Sequence, residues 1–232
     1  MFVDLLKLKK FLTYALSAFF AAISITGVIY YILYPSAAYF HADCTDTILW
    51  AQASYDAKAL FNPDFGYAAM LPFGGTMLML PFIGIFGVSM TTHHIGMVLF
   101  TVLLFASVLM LCKSLKFSFP LSMVATGSLA AVLCASEKLR EIFYEHVIYY
   151  SICVFIVCLL LSLFIEFKES LSNAKFKKLV FVVLATVVVS ACAALDGMQV
   201  IATGIVPVLM AAVIEVFFDK EKLLATAMPF GV

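Results

Sequence analysis

The sequence predicts an all-α, polytopic transmembrane helical bundle with a large outer loop carrying an interfacial helix and a re-entrant or interfacial hairpin. Three observations carry this expectation. Of 232 residues, 65% are hydrophobic and 12% charged, with a mean hydropathy of +1.12, whereas soluble domains sit near half apolar and a quarter charged. The apolar residues come in runs of about 20, the length a helix needs to cross hydrocarbon with every backbone group satisfied internally. The one long polar interruption, residues 39–75, holds Asp43, Asp46, Asp56 and Asp64 together with His41 and the only tryptophan, Trp50. Residues 1–232 therefore read as a single transmembrane domain whose first partner is the lipid bilayer.

The first run, 11–34, follows a lysine-bearing start. It is longer than the roughly 7–15 apolar residues of a cleavable signal core, so it reads as an uncleaved membrane helix. The outer loop that follows, 35–92, is expected to hold an interfacial helix over about 45–60. Leu49, Ala53, Ala57 and Leu60 recur at helical spacing as its apolar face. Asp43 and Asp46, three apart, share the start of that helix. Asp is a preferred cap and is favoured at a positive helix end. That structural role accounts for Asp43 better than for Asp46, because His41, Asp43 and Asp46 over-supply one terminus.

Residues 70–87 are apolar but broken by Pro72, Gly74, Gly75, Pro81 and Gly84. The positive-inside rule decides whether they cross. If they do not, Lys7, Lys9, Lys10, Lys113, Lys116, Lys168, Lys175, Lys177, Lys178, Lys220 and Lys222 lie inside, eleven against Lys58, Lys138 and Arg140 outside. If they cross, every later loop flips and five basic residues lie inside against nine outside. A non-crossing hairpin on the outer side follows, with the N-terminus cytoplasmic and the acidic loops on the outer face of a cell membrane.

The later spans are expected at 93–112, 119–135, 147–164, 179–195 and 200–218. Glu137, Glu141 and Glu145 fall at i, i+4 and i+8 before the span at 147, so they share a face if helical. Exposed acids paired with Lys138 and Arg140 contribute little. Glu145 and His146, deepest toward the bilayer, are costly to bury and so are functional suspects. Asp196-Gly197 reads as a turn between two helices. His93 and His94 diverge on a helix and read as boundary residues rather than metal ligands. The six cysteines lack metal-type spacing and mostly lie in apolar runs as packing residues; Cys44 alone sits in the polar loop. Zero net charge gives no argument for nucleic acid. The chain ends on ATAMPFGV without a polar tail, which points to a protein continuing past residue 232.

A carboxylate at the membrane edge, partly desolvated, has its pKa raised toward the working range. It can take a proton from an acceptor hydroxyl while a second carboxylate orients it or holds a divalent cation. Asp43 and Asp46 are the candidates for both roles.

The stretch HADCTDTILWAQASYDAKALFNPDFGYAAMLP, then PFIGIFGVSM, then the acidic EIFYEH entering a helix, resembles the GT-C superfamily of integral membrane glycosyltransferases that use polyprenyl-phosphate sugars. The likeness covers roughly residues 11–164. It departs from the family pattern at Leu71-Pro72, where a double proline is usual, and in the D-x-x-D spacing of its acids. The resemblance implies inverting hexosyl or pentosyl transfer at the outer membrane face, with Asp46 or Asp43 as general base and Glu145 as the supporting acid. Lys58, Lys138 and Arg140 are the outer cations available to the donor phosphate. His41, Trp50, Asp56 and His146 complete the candidate substrate-binding set. Two other classes stand beside this one: a transporter or flippase-like protein, which would place polar broken helices at the bilayer midplane, and a non-catalytic assembly subunit.

Overall fold

A computed structural model describes residues 2–35, 40, 42–67, 75–145, 150–196 and 198–218, and the described residues are helices and their connections. Helix α1 (Phe2–Leu33) is followed by α2 (Ala42–Ala57), α3 (Gly75–Phe86), α4 (Met90–Ser114), α5 (Phe119–Leu133), α6 (Glu137–Tyr144), α7 (Ser151–Ser172) and α8 (Phe176–Asp196). The last helical run is α9 (Met198–Val200), a π segment (Ile201–Ile205) and α10 (Val206–Phe218). Among the described residues, α1, α4, α7 and α8 contain stretches long and apolar enough to cross a membrane. A fifth joins them if α5 and α6, bent by 112° at their junction, form one broken span. The chain is a multi-pass membrane protein.

Local signals set the boundaries. Ser89 caps α4, its hydroxyl accepting from the Thr92 N–H at 3.3 Å. Ser136 does the same for α6 from Leu139 at 3.2 Å, and Pro120 opens α5 where its missing N–H costs nothing. Helices α2, α4 and α7 end alike. Lys58, Lys116 and Ala174 take left-handed φ of 52°, 60° and 51°, and the next N–H reaches five residues back, as from Phe117 to the Cys112 carbonyl. None of these three is glycine, so each turn carries some strain.

Helix packing is closest between α1 and α5, α4 and α7, and α7 and α8. A Cβ on Gly127 would lie 2.9 Å from the Ala21 Cα, so α5 meets the α1 backbone directly, as small residues permit in membranes. The main core gathers the end of α1 (Val28, Tyr31, Ile32), α2 (Ile48, Trp50, Ala51), α3 (Met79, Ile83) and the first halves of α4 and α7. At the other end the core shrinks to Val108, Cys112 and Cys158. That end is rich in lysine. Lys116 pairs with Glu169 at 3.9 Å, Lys178 with Glu166, and Tyr14 of α1 stacks on Phe119 at 5.4 Å. Burial is thus concentrated at the end carrying α2, α3 and α6. Helix α8 is the least covered, with Phe181, Leu184, Val187 and Val188 all exposed as lipid-facing apolar side chains.

Several sequence expectations need correction. Where described, the region 35–92 includes two helices, and within the hairpin expected at 70–87 residues 75–86 form one helix with Pro81 inside it. Residues 68–74 lie outside the described set. At about 1.5 Å per residue, the 12 residues of α3 reach about 18 Å, short of the roughly 30 Å of hydrocarbon. Helix α2 exists but begins at Ala42, and its buried residues are Cys44, Thr47, Ile48, Trp50, Ala51, Ala53 and Ser54. Leu49, Ala57 and Leu60 of the expected stripe are exposed, and of that stripe Ala53 alone is buried. The acidic segment before α7 is a separate short helix, α6, and α7 begins at Ser151.

Candidate functional site

The end of the bundle with the larger core is organised around Glu145. Helix α6 runs out at Tyr144, and Glu145 is its C-cap, its N–H bonded to the Glu141 carbonyl at 3.2 Å. The Glu145 side chain is 1% exposed. An acid so enclosed needs donors, because an unsatisfied buried charge is expensive. Tyr31, two residues from the end of α1, donates its hydroxyl to Oε1 at 2.7 Å. The Cys44 thiol of α2, fully buried, donates weakly to Oε2 at 3.8 Å. One carboxylate thereby joins three helices that lie 101 and 114 residues apart in sequence.

Arg140, five residues before Glu145 on α6, places its guanidinium 4.9 Å from the centre of the Tyr31 ring. Its Nη1 donates to the Cys134 carbonyl at 3.1 Å, while the buried Nε has no hydrogen-bond partner among the described residues. The cation is half-buried and held by the turn between α5 and α6 rather than free at the surface. Tyr144 packs below, its ring 6.4 Å from that of Phe105.

The acids of α2 approach from the other side. Asp43 is exposed in the first turn of α2, where the helix N-terminus favours a negative charge. It acts electrostatically on Lys138 of α6. Lys138 is exposed and pairs with Glu141 at 2.7 Å, and that hydrogen bond, more than Asp43, holds its ammonium above the ordinary lysine pKa. Asp46 lies one turn further on, half-buried, on the same side of α2 as Asp43. Asp43 and Lys138 thus lie within electrostatic reach, Glu145 and Arg140 meet through Tyr31, and Asp46 follows Asp43 by one turn of α2. The three glutamates of α6 grade in burial from exposed Glu137 through half-buried Glu141 to enclosed Glu145.

Other candidates fall elsewhere. Trp50 is 3% exposed and packs edge-on to Tyr67 at 5.7 Å, so it is a core pillar rather than a surface for substrate. The chain after α2 folds back onto it. The Ser54 hydroxyl donates to the Leu60 carbonyl at 3.1 Å, and the Asn62 amide donates to the Ala53 carbonyl at 3.2 Å. Asp56 accepts from Gln52 at 2.6 Å on the exposed side, and Lys58 terminates the helix. Both sit at the far end of α2, about 20 Å from Asp43 by helix rise. Asp64 is exposed. His41 and His146 lie outside the described residues. His93, expected at a boundary, is buried in the first turn of α4 with its ring edge-on to Phe40 at 4.9 Å.

Two members of the site, Tyr31 and Cys44, were missed by sequence reasoning. A tyrosine near the end of an apolar helix looks like an interfacial anchor, and a lone cysteine like a small packing residue. The only available signal was that Cys44 stands apart from the other cysteines in polar sequence. Among the described residues, no group of three or more His, Cys, Asp or Glu side chains is arranged to hold a metal ion, so the pair Asp43 and Asp46 would need further ligands to bind a divalent cation. No protein-family model, curated protein or solved structure matches this chain.

Proposed function

We propose that this chain acts as a membrane glycosyltransferase that moves a sugar from a polyprenyl-phosphate donor to an acceptor at the outer membrane face. The observation that supports it is the convergence of acids from two separate segments, α2 and α6, at one end of the helical bundle. A transporter would instead gather polar groups at mid-depth. Lysines dominate the opposite end, which by the positive-inside rule faces the cytoplasm and sets the acidic end outside.

In this reading Asp46 is the general base. It is half-buried whereas Asp43 is exposed, so it is the better shielded from competing water. It takes the proton of the acceptor hydroxyl as that oxygen bonds to the anomeric carbon. The bond from that carbon to the phosphate oxygen breaks, and polyprenyl phosphate leaves with the electron pair. Lys138, exposed and able to exchange its surface pairing with Glu141 for the phosphate, is the cation assigned to it, whereas Arg140 is half-buried on the Tyr31 ring and the Cys134 carbonyl. Glu145 positions α1, α2 and α6 and does not touch substrate.

The test is transfer of labelled sugar from a polyprenyl-phosphate donor by membranes holding the full-length protein with Asp43→Asn and Asp46→Asn combined. Abolished transfer by a folded double variant supports the reading, and unchanged transfer overturns it. One observation favours a second reading, a non-catalytic assembly subunit: the most deeply buried acid is spent on joining helices. That reading predicts that the double variant still supports transfer by its partner.

A further inference from the structure

The lysine-rich end carries a second feature, independent of the acidic site. A crevice of about 620 Å³ opens where the end of α4 meets the end of α7, lined by Lys116, Lys168, Glu169 and Asn173. A separate groove of about 290 Å³ runs deeper between α7, α8 and the α9–α10 run, walled by side chains such as Phe167, Val187 and Leu209. Phe164 lines both. Moving up α7 by one to two turns thus leads from a cationic mouth to an apolar channel. That sequence of surfaces matches an amphiphile with an anionic head.

The charge balance favours an anion. Lys116 pairs with Glu169 at a loose 3.9 Å, and Lys178 neutralises Glu166. By sequence, 113–118 and 166–178 carry Lys113, Lys116, Lys168, Lys175, Lys177 and Lys178 against Glu166 and Glu169, so the excess is positive. The groove lies between α7 and α8, both long and apolar enough to span, so the surrounding solvent is hydrocarbon. Juxtamembrane lysines are attracted to anionic headgroups over a short range.

We infer that the α4–α7 crevice and the adjoining groove bind one anionic phospholipid, its phosphate between Lys116 and Lys168 and one acyl chain past Phe164 into the channel. The occupant is a bilayer lipid because the channel offers a tail a place that a free phosphate cannot use.

The experiment is native mass spectrometry of the full chain in detergent, stripped of lipid and titrated with phosphatidylglycerol or with phosphatidylcholine of the same chains. Wild type should retain one phosphatidylglycerol in preference to phosphatidylcholine. Each lysine near an anionic headgroup changes binding by roughly fivefold, so Lys116→Gly combined with Lys168→Gln should weaken it by about thirtyfold. Glycine suits the left-handed backbone at 116, and Lys168 is exposed, so this variant keeps the fold. Lys7→Gln with Lys10→Gln removes equal charge elsewhere and should leave binding unchanged. Ser190→Leu, which fills the channel, should weaken retention of the lipid while leaving the lysines intact. Equal binding of the two lipids would overturn the proposal. So would equal loss in the Lys7/Lys10 variant, displacement by inorganic phosphate, or a second copy of the chain in place of lipid.

Discussion

Replacing Tyr31 by Phe removes one oxygen and nothing else from the acidic end of the bundle. The ring that Arg140 covers remains, and so does its packing against Ile32 and Val28 in the core. What is lost is the 2.7 Å hydrogen bond to a carboxylate that is 1% exposed. A hydrogen bond to a charged group contributes about 1.5–3 kcal/mol, and the cost is at the upper side when the partner stays buried. For a chain of this size, about 2–4 °C of Tm follows each kcal/mol. Tyr31→Phe should therefore lower the Tm in detergent by about 3–12 °C. Tyr30→Phe, at a neighbouring residue that is 60% exposed, should leave it unchanged. Equal Tm values for Tyr31→Phe and wild type would refute the view that Glu145 holds α1 against α6.

Three further outcomes follow from backbone and charge. Gly127→Leu drives a side chain into the Ala21 backbone and should cost about 1–3 kcal/mol or more. Gly27→Ala meets nothing within 4 Å inside the same helix pair and should stabilise by about 0.5–1 kcal/mol; thermal melts of the two should move in opposite directions. Ala174→Gly relieves a left-handed alanine that costs about 1–2 kcal/mol, less the roughly 0.5–1 kcal/mol of glycine entropy, and should raise the Tm. For Lys138, Glu141 raises the ammonium pKa above its ordinary 10.5. A raised folded value means the contribution is complete below 10.5 and lost only as pH climbs through the higher folded value. The Tm difference between wild type and Lys138→Gln should accordingly be constant through the neutral range and shrink in strong alkali.

The spans were legible because hydrocarbon imposes a length and a composition that a single segment must satisfy alone. Helices α1, α4 and α8 lie close to their sequence expectations for that reason. The face of α2 was not legible. Its apolar stripe was placed on Leu49, Ala53, Ala57 and Leu60, yet the buried side sets Ile48 and Trp50 among the small residues Cys44, Thr47, Ala51, Ala53 and Ser54 while Leu49 faces out. Where lipid is the solvent, small and weakly polar residues pack between helices and large apolar ones are free to face outward. The bend between α5 and α6 goes with the Ser136 cap and the Arg140 bond to the Cys134 carbonyl, neither of which was read from the sequence. At the site, Asp43, Asp46 and Glu145 were singled out because buried or clustered acids are costly. Tyr31 and Cys44 became visible only through their distance to Glu145, and pairings over a hundred residues leave no trace in local spacing.

The central claim is that the acid of α2 performs chemistry rather than capping a helix. The direct measurement is the single-turnover rate of sugar transfer by purified full-length protein in liposomes with Asp46→Asn alone, paired with its Tm. A general base contributes roughly a hundredfold to ten-thousandfold, so the account predicts a rate loss of about that size at an unchanged Tm. A rate within about twofold of wild type would contradict it.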